Sequence, residues 1–479
     1  MTDSFFFYDL ETFGACPRRS RIAQFAAIRT DTALQPIDDP VCFFVKPADD
    51  LLPSPGASMV TGITPQHACD HGVNEAEAFA RIHEQMMRPG TCTAGYNSIR
   101  FDDEFVRYGL FRNFYDPYER EWRGGNCRWD LLDVMRLAHA LRPDGIEWVY
   151  REDGTPTFTL EGLAKANGVR DGDAHEALSD VRALIGLGRR LREAQPRLWD
   201  YCLRLRDKRF AGSLLDVAHM TPVLHVSQRF PASRLCAAPV APLAMHPRIG
   251  NRVVVVDLMQ DPTRLIREDA DAIADTLYVP QDQLPAGVER IALKEIHLNR
   301  CPALVQWDHL READLARLRI DPSVVEANLA RLRAAGPQLA EKIRRIYARA
   351  VDRAPSDCDA SLYDGFLPDE DRERFPRVRS SPPAALAGAD FGFRDERLPE
   401  LLFRYRARNW RGSLAGHESE RWNGYRRERL AGTERSENSF DSYFAELDAL
   451  RADRGEDARV RSLLDALQDW GRALRAELA

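Results

Sequence analysis

The stretch that most limits how this chain can fold is SFFFYDLETFG at residues 4–14. An aromatic run, Phe5-Phe6-Phe7-Tyr8, ends in two carboxylates one residue apart, Asp9 and Glu11, and then breaks at Gly14. Such a run predicts a buried strand. Side chains alternate along a strand, so Asp9 and Glu11 face one way while Tyr8 and Leu10 face the other, with the two acidic Cα atoms about 6 to 7 Å apart. Left unpaired, acids flush against a buried strand cost several kcal/mol, so something must neutralise them. Their separation suits a pair of divalent ions ~3.5 to 4 Å apart, the spacing used for in-line phosphoryl transfer. Taken alone, the D-x-E pattern is equally compatible with an exposed strand end carrying ordinary surface acids.

The segments after this strand set the architecture. Residues 1–195 alternate short apolar runs (FFFYDLE, AQFAAIRT, VCFFVKP) with helical stretches: NEAEAFARIHEQMM, an aromatic-rich segment at 102–122, and amphipathic helices near 129–141, 159–167 and 176–193. That pattern predicts an α/β domain. Across 196–351 the texture changes to strands separated by Pro and Gly, in PVLHVSQRF, PLAMHP, RVVVVDLM, TLYVP, RIALKEIHL and ALVQW. A small β-barrel or sandwich with long helices over 323–351 is expected there. Residues 352–479 read as a third, α-helical domain containing a linker-like stretch, SSPPAALAGAD, at 380–390. Three domains suit a chain of 479 residues, because single cores seldom exceed about 200.

Composition excludes little else. The net charge of −7 would repel a polyanion at long range, so a nucleic-acid partner requires basic residues concentrated on particular surfaces. Nine scattered cysteines with no C-x-x-C pair argue against a disulfide framework and a zinc site, and point to reduced, mostly buried thiols. No signal-peptide pattern or membrane-spanning apolar run is present, and a cytoplasmic location is expected.

Two further acidic motifs lie downstream of the first. In GYNSIRFDDEF, Asn97, Phe101 and Asp102 form N-x-x-x-F-D, with Asp103 and Glu104 as alternative acids beside Asp102; in DAHEALSDVRAL, His175 and Asp180 form H-x-x-x-x-D. The ordered triple resembles the signature of the DEDDh exonucleases, a branch of the DnaQ-like, RNase H-fold 3′-to-5′ exonucleases, in which the ligand directly follows the aromatic; that favours Asp102. The chemistry asks for these residue types. Hard divalent ions take oxygen ligands from several segments, here Asp9, Glu11, Asp102 and Asp180. The attacking water must lose a proton, and a histidine with an unperturbed pKa near ~6.5 is a suitable base; His175 is the candidate. Five residues along a helix rotate a side chain by about 140°, so His175 and Asp180 would not share a face. Asp173 and Glu176, spaced as a capping box, predict a helix start there, with His175 on a mobile segment before it.

Longer stretches extend the likeness. KPADDLLPSPGASMVTGITPQ, RFDDEFVRYGLFRNFYDPY, RWDLLDVMRLAHALRPDG, LYDGF and LLFRYRARNW resemble the exodeoxyribonuclease I family along the whole chain. The resemblance implies a DnaQ-like domain, an SH3-like β-domain and a helical C-terminal domain around a groove for single-stranded DNA. It also implies processive degradation from a free 3′ end to 5′-mononucleotides, in repair and recombination. Mg²⁺ is the implied cofactor, two ions per site with Mn²⁺ able to substitute, and the protein is expected to be a monomer with no membrane association. By resemblance, Glu11, Arg107, Tyr118, Trp122 and Arg136 contact DNA, and Thr159 stands where the family can place a basic residue. In RYGLFRNFYDPYEREW, cations interleave with aromatics as single-strand binders require, although Phe111 and Phe114 are expected in the core. FRYRARNW, with Arg404, Arg406 and Arg408, reads either as a groove wall or as a solvated helix face. The family also binds the acidic, Phe-ended C-terminal tail of single-stranded DNA-binding protein; Arg142, Tyr201 and Arg311 match that site, with Thr221 in place of an expected Lys. Competing readings are another DEDDh exonuclease, proofreading or RNA-trimming, and a non-catalytic single-stranded DNA-binding scaffold.

Overall fold

The computed structural model describes residues 3–170, 176–277, 279, 283–284, 290–349 and 356–479. The chain forms two compact units. One comprises Met1–Cys127, Arg170–Ile185 and Ala354–Ala479; the other comprises Arg128–Val169 and Gly186–Arg353.

The first unit is built on a mixed sheet. Its strands are β1 (Ser4–Thr12), β2 (Ile22–Thr30), β3 (Val41–Phe44) and β4 (Thr91–Gly95), in the order β3-β2-β1-β4. The central strand β1 runs antiparallel to β2, with Asp9 opposite Ala26 and Glu11 opposite Gln24, and parallel to β4. Alternation works as expected along β1: Phe6, Tyr8 and Leu10 join Phe25, Phe79, Phe105 and Leu110 in one core. This leaves Asp9 and Glu11 on the opposite face. Helix Glu75–Met86, capped by the Asn74 side chain at the Glu77 amide, buries Ala78, Phe79, Ile82 and Met86, a helical stripe facing this core.

The helix expected over 102–122 stops at Arg112. Phe114 takes a left-handed backbone, φ 57°, and Pro117 comes three residues later, so the chain cannot continue helically; two 3₁₀ turns, Glu119–Glu121 and Arg123–Gly125, replace it. Phe111 and Phe114 are core as expected, packed with Leu386, Leu398, Leu401 and Tyr405 from the C-terminal segment. The supposed linker at 380–390 is therefore part of a core, through Leu386 and Ala389. Neither reading of FRYRARNW holds. Arg404, Arg406 and Arg408 are buried in ion pairs: Arg404 and Arg408 bind Asp359, Arg408 also binds Asp50 at 2.9 Å, and Arg406 binds Glu418. The long C-terminal helices Phe440–Arg454 and Ala458–Leu478 pack through Tyr443, Leu447, Leu464 and Leu467.

In the second unit an antiparallel five-stranded sheet is formed by Leu293–His297, Arg252–Asp257, Ala237–Met245, Val223–Val226 and Ala303–Gln306, in that spatial order. Five of the six expected strands are present. The sixth, TLYVP, lies partly outside the described residues, at Tyr278 and Pro280, and its Thr276 and Leu277 end a helix, Ala270–Leu277, because Ala270, Ile273 and Leu277 bury at helical spacing. The long helices expected over 323–351 are Pro322–Ala334 and Pro337–Ala348, separated at Gly336, φ 67°. Among the described residues no helix is long and apolar enough to cross a membrane.

Candidate active site

Strand β1 presents Asp9 and Glu11 on one face, and helix Ala177–Ala194 supplies Asp180 from its first turn. Ligand oxygens of these three carboxylates lie within 4.8 Å of one another. Glu11 is only 7% exposed. Three acids so close and so dry resist ionisation. Burial, then the Asp180 charge, pushes Asp9 well above the carboxylate range, against the opposing pull of Arg170; burial, then the charges of Asp9 and Asp180, pushes Glu11 up to about 9. Among the described residues, Arg170, 2.7 Å from Asp180 Oδ1, is a cation in contact with the cluster. One guanidinium against three carboxylates leaves an excess of negative charge, and an all-oxygen donor set with that excess fits a hard divalent ion.

The three consecutive acids of RFDDEF take different roles. Asp103 is buried and accepts hydrogen bonds from Tyr8 Oη and Arg120 Nη2, both at 2.5 Å. Glu104 accepts from Arg107 at 2.9 Å and from Tyr363 Oη at 2.6 Å. Asp102, 4% exposed, opens helix Asp102–Arg112 directly after Phe101, and it is not among the three acids within 4.8 Å. His175 and Asp173 lie outside the described residues. The helix begins at Ala177, where the Asp180 amide donates to the Glu176 carbonyl at 3.0 Å.

Arg107 is buried, held by Glu121 through two hydrogen bonds of 2.8 Å, and its guanidinium lies 5.3 Å from the Tyr118 ring centroid. Trp122 is 64% exposed. Arg136 is buried, bonded to Asp133 at 2.7 Å and set against the Phe158 ring. Thr159 is exposed at the N-cap of helix Leu160–Ala166 and makes no capping hydrogen bond. Arg142 and Arg311 are brought together on one buried carboxylate, Asp314, at 2.9 and 2.7 Å. Tyr201 donates to the Leu304 carbonyl, and the Thr221 hydroxyl to Asp216.

Sequence reasoning missed three features. Tyr363 and Phe366 of LYDGF are exposed aromatics, Phe366 at 95%, and Arg107 Nη1 donates to Tyr363 Oη at 3.1 Å; two aromatics flanking Asp-Gly in a loop were the available signal. Arg170, five residues before His175, could have been flagged as a cation beside an acidic motif. The Tyr8–Asp103–Arg120 link joins segments 95 and 17 residues apart, and no local pattern announces it.

A central strand and a neighbouring helix that converge three carboxylates define a divalent-metal-dependent exonuclease of the DnaQ-like class, and the family described as Exonuclease matches residues 6–187. The families Exonuclease I SH3-like domain and Exonuclease I C-terminal domain match 206–349 and 356–474. The chain belongs to the exodeoxyribonuclease I family. It is 44% identical to exodeoxyribonuclease I of Escherichia coli K12 over 98% of this chain and 97% of that protein. Among solved structures, a moderately thermophilic exonuclease I from Methylocaldum szegediense superposes with a TM-score of 0.94 at 48% identity, covering 98% of this chain and 99% of the other. The zinc-bound complex of Escherichia coli exonuclease I with single-stranded DNA superposes with a TM-score of 0.93 at 43% identity, covering 99% and 100%. The expected succession of DnaQ-like, SH3-like and helical C-terminal parts holds.

Proposed function

We propose that this chain is a processive 3′-to-5′ exonuclease that degrades single-stranded DNA to 5′-mononucleotides, working in DNA repair and recombination in the cytoplasm as a monomer. The observation that carries the reading is the convergence of Asp9, Glu11 and Asp180. These three with Asp102 would hold two Mg²⁺ ions, with Mn²⁺ as a substitute. When bound, such ions neutralise charge on the scissile phosphate and lower the pKa of the attacking water. The protein's own groups do the rest. The buried strand fixes Asp9 and Glu11 in register, Glu11 also faces the terminal nucleotide, and His175 accepts the proton the water gives up.

The same reading assigns the strand-binding surface. Exposed Trp122 and Phe366, with Tyr118 and Tyr363 set around Arg107, offer faces on which bases stack at ~1 to 3 kcal/mol each. Arg136 and Thr159 are further DNA contacts in this reading, with Thr159 supplying a hydroxyl where a cation would bind phosphate more strongly. Arg142 and Arg311, gathered on Asp314, with Tyr201, form the site for the acidic C-terminal tail of single-stranded DNA-binding protein. We set the domain limits at 1–195, 196–351 and 352–479. The test incubates end-labelled single-stranded DNA, duplex DNA and RNA with Mg²⁺, with Asp9→Ala as control. Preference for RNA, or equal activity of wild type and Asp9→Ala, overturns the reading. His175→Ala should bind DNA yet lose most turnover; unchanged turnover at neutral pH removes it as the base.

A further inference from the structure

A cavity of about 290 Å³ lies in the first unit, lined by Arg21 at the start of β2, Lys46 and Asp49 beyond β3, Glu75 at the head of helix Glu75–Met86, and Arg408 and Arg411 at the end of helix Arg397–Asn409. Four cations and two acids form this wall. Arg408 and Arg411 are fully engaged with Asp50, Asp359 and Asp49. Arg21 is not. It is 4% exposed, its Nη1 donates to the Ser20 carbonyl at 2.9 Å, and its Nη2 has no hydrogen-bond partner. Its nearest carboxylate, Glu75, stands 3.6 Å from Nε and is already bonded to the equally buried Arg112 at 2.8 Å. Two buried guanidiniums thus share one carboxylate. On the exposed side, the Lys46 ammonium pairs with no acid among the described residues. Burial, then the charges of Arg112, Arg408 and Arg429, lowers the Arg21 pKa to about 9, as expected for a cation whose counter-charge is incomplete.

We infer that this cavity is a binding site for a phosphate-type oxyanion, either orthophosphate or the phosphate of a mononucleotide, held between the unpartnered donors of Arg21 and the Lys46 ammonium. A guanidinium with free N–H groups in a cationic cavity is matched by a compact, multiply charged acceptor. The occupant would also tie residues 21–75 to helix Arg397–Asn409, so binding raises the thermal midpoint. The assignment is independent of the proposed substrate.

The test uses the full chain in EDTA, which removes metal-assisted phosphate binding at the acids. Orthophosphate and a deoxynucleoside 5′-monophosphate are titrated separately at constant ionic strength against chloride, with thermal unfolding and calorimetry as readouts. A saturable rise in midpoint with orthophosphate, competed by the nucleotide, is expected. Lys46→Ala, an exposed substitution that should fold normally, should weaken binding about tenfold, the worth of one charge-assisted contact; Arg21→Gln should abolish it, and Asp9→Ala should leave it intact. Equal responses to phosphate and chloride, an unchanged affinity in Lys46→Ala, or loss of binding in Asp9→Ala overturns the assignment, whereas a rise with the nucleotide and none with orthophosphate identifies the mononucleotide as the source of the phosphate.

Discussion

Three adjacent acids that differ only in what they touch make a sharp experiment. Asp103 lies between Tyr8 and Arg120, both buried and both at 2.5 Å. Asp103→Asn keeps the shape and removes the charge. Among the described residues Arg120 then keeps a 3.3 Å bond to the Thr93 hydroxyl and one carboxylate, Glu121 at 3.7 Å, which is already held by two bonds from Arg107. Removing one partner of a buried ion pair costs about 3 to 5 kcal/mol. At roughly 2 to 4 °C per kcal/mol for a unit of this size, the midpoint should fall by about 6 to 20 °C. Asp102→Asn, one residue earlier, should behave oppositely: a midpoint within about 2 to 4 °C of wild type, equivalent to ~1 kcal/mol, and turnover reduced by about 10²-fold or more through the lost ligand. Thermal unfolding and single-turnover hydrolysis below the lower midpoint, run on both variants, separate the effects. If Asp103→Asn unfolds with wild type, or if Asp103→Asn is the inactive variant and Asp102→Asn the active one, the division of labour between the two acids is wrong.

Arg170→Gln removes the cation paired with Asp180; by Coulombic competition of about 1 kcal/mol, metal should bind several-fold more tightly, measured by calorimetric titration, and an unchanged affinity would show that Arg170 does not compete. Trp122→Ala should weaken single-stranded DNA binding by ~1 to 3 kcal/mol without moving the thermal midpoint, since the side chain is mostly exposed; fluorescence anisotropy with a catalytically dead variant reads this directly. His139 is buried, and burial, then the Arg317 charge, lowers its pKa to about 4. Between the unfolded value near ~6.5 and that folded value, only the unfolded chain takes the proton, so stability is lost as pH falls through this window, by up to roughly 3 kcal/mol. His139→Phe should therefore lose less midpoint than wild type between pH ~6.5 and ~4.5, and parallel melting curves for the two would refute the assignment.

How much of this was legible depended on how local the cause was. The alternation in FFFYDLE fixed which face carries Asp9 and Glu11, because period-two geometry needs no tertiary information, and the capping-box spacing of Asp173 and Glu176, an equally local pattern, placed a helix start ahead of Asp180. Asp103 was a different matter. Its partners are Tyr8 and Arg120, and only the folded topology brings those together. FRYRARNW misled for a related reason: three arginines on one helix look solvated unless one knows that Asp50 and Asp359, hundreds and tens of residues upstream, fold onto Arg404 and Arg408, and Glu418 onto Arg406. The end of the helix at Arg112 was readable in principle from Pro117, but Phe114 in a left-handed conformation carries no compositional mark.

The unit that houses the acids is completed by residues from both ends of the chain. Asp50 meets Arg408, and Phe111 and Phe114 pack on Leu398 and Tyr405, so the earliest-made part lacks its counterparts until the last quarter has been translated. Between Cys127 and Ala354 lie roughly 230 residues, which at ~5 to 20 residues per second occupy the ribosome for about 10 to 45 s. Throughout that interval the apolar surface around Phe111 and Phe114 and the carboxylate of Asp50 await their partners, and transiently exposed apolar surface of this kind is prone to aggregate. An unfinished polypeptide, released early, lacks the pieces that close the core around Phe111 and Phe114.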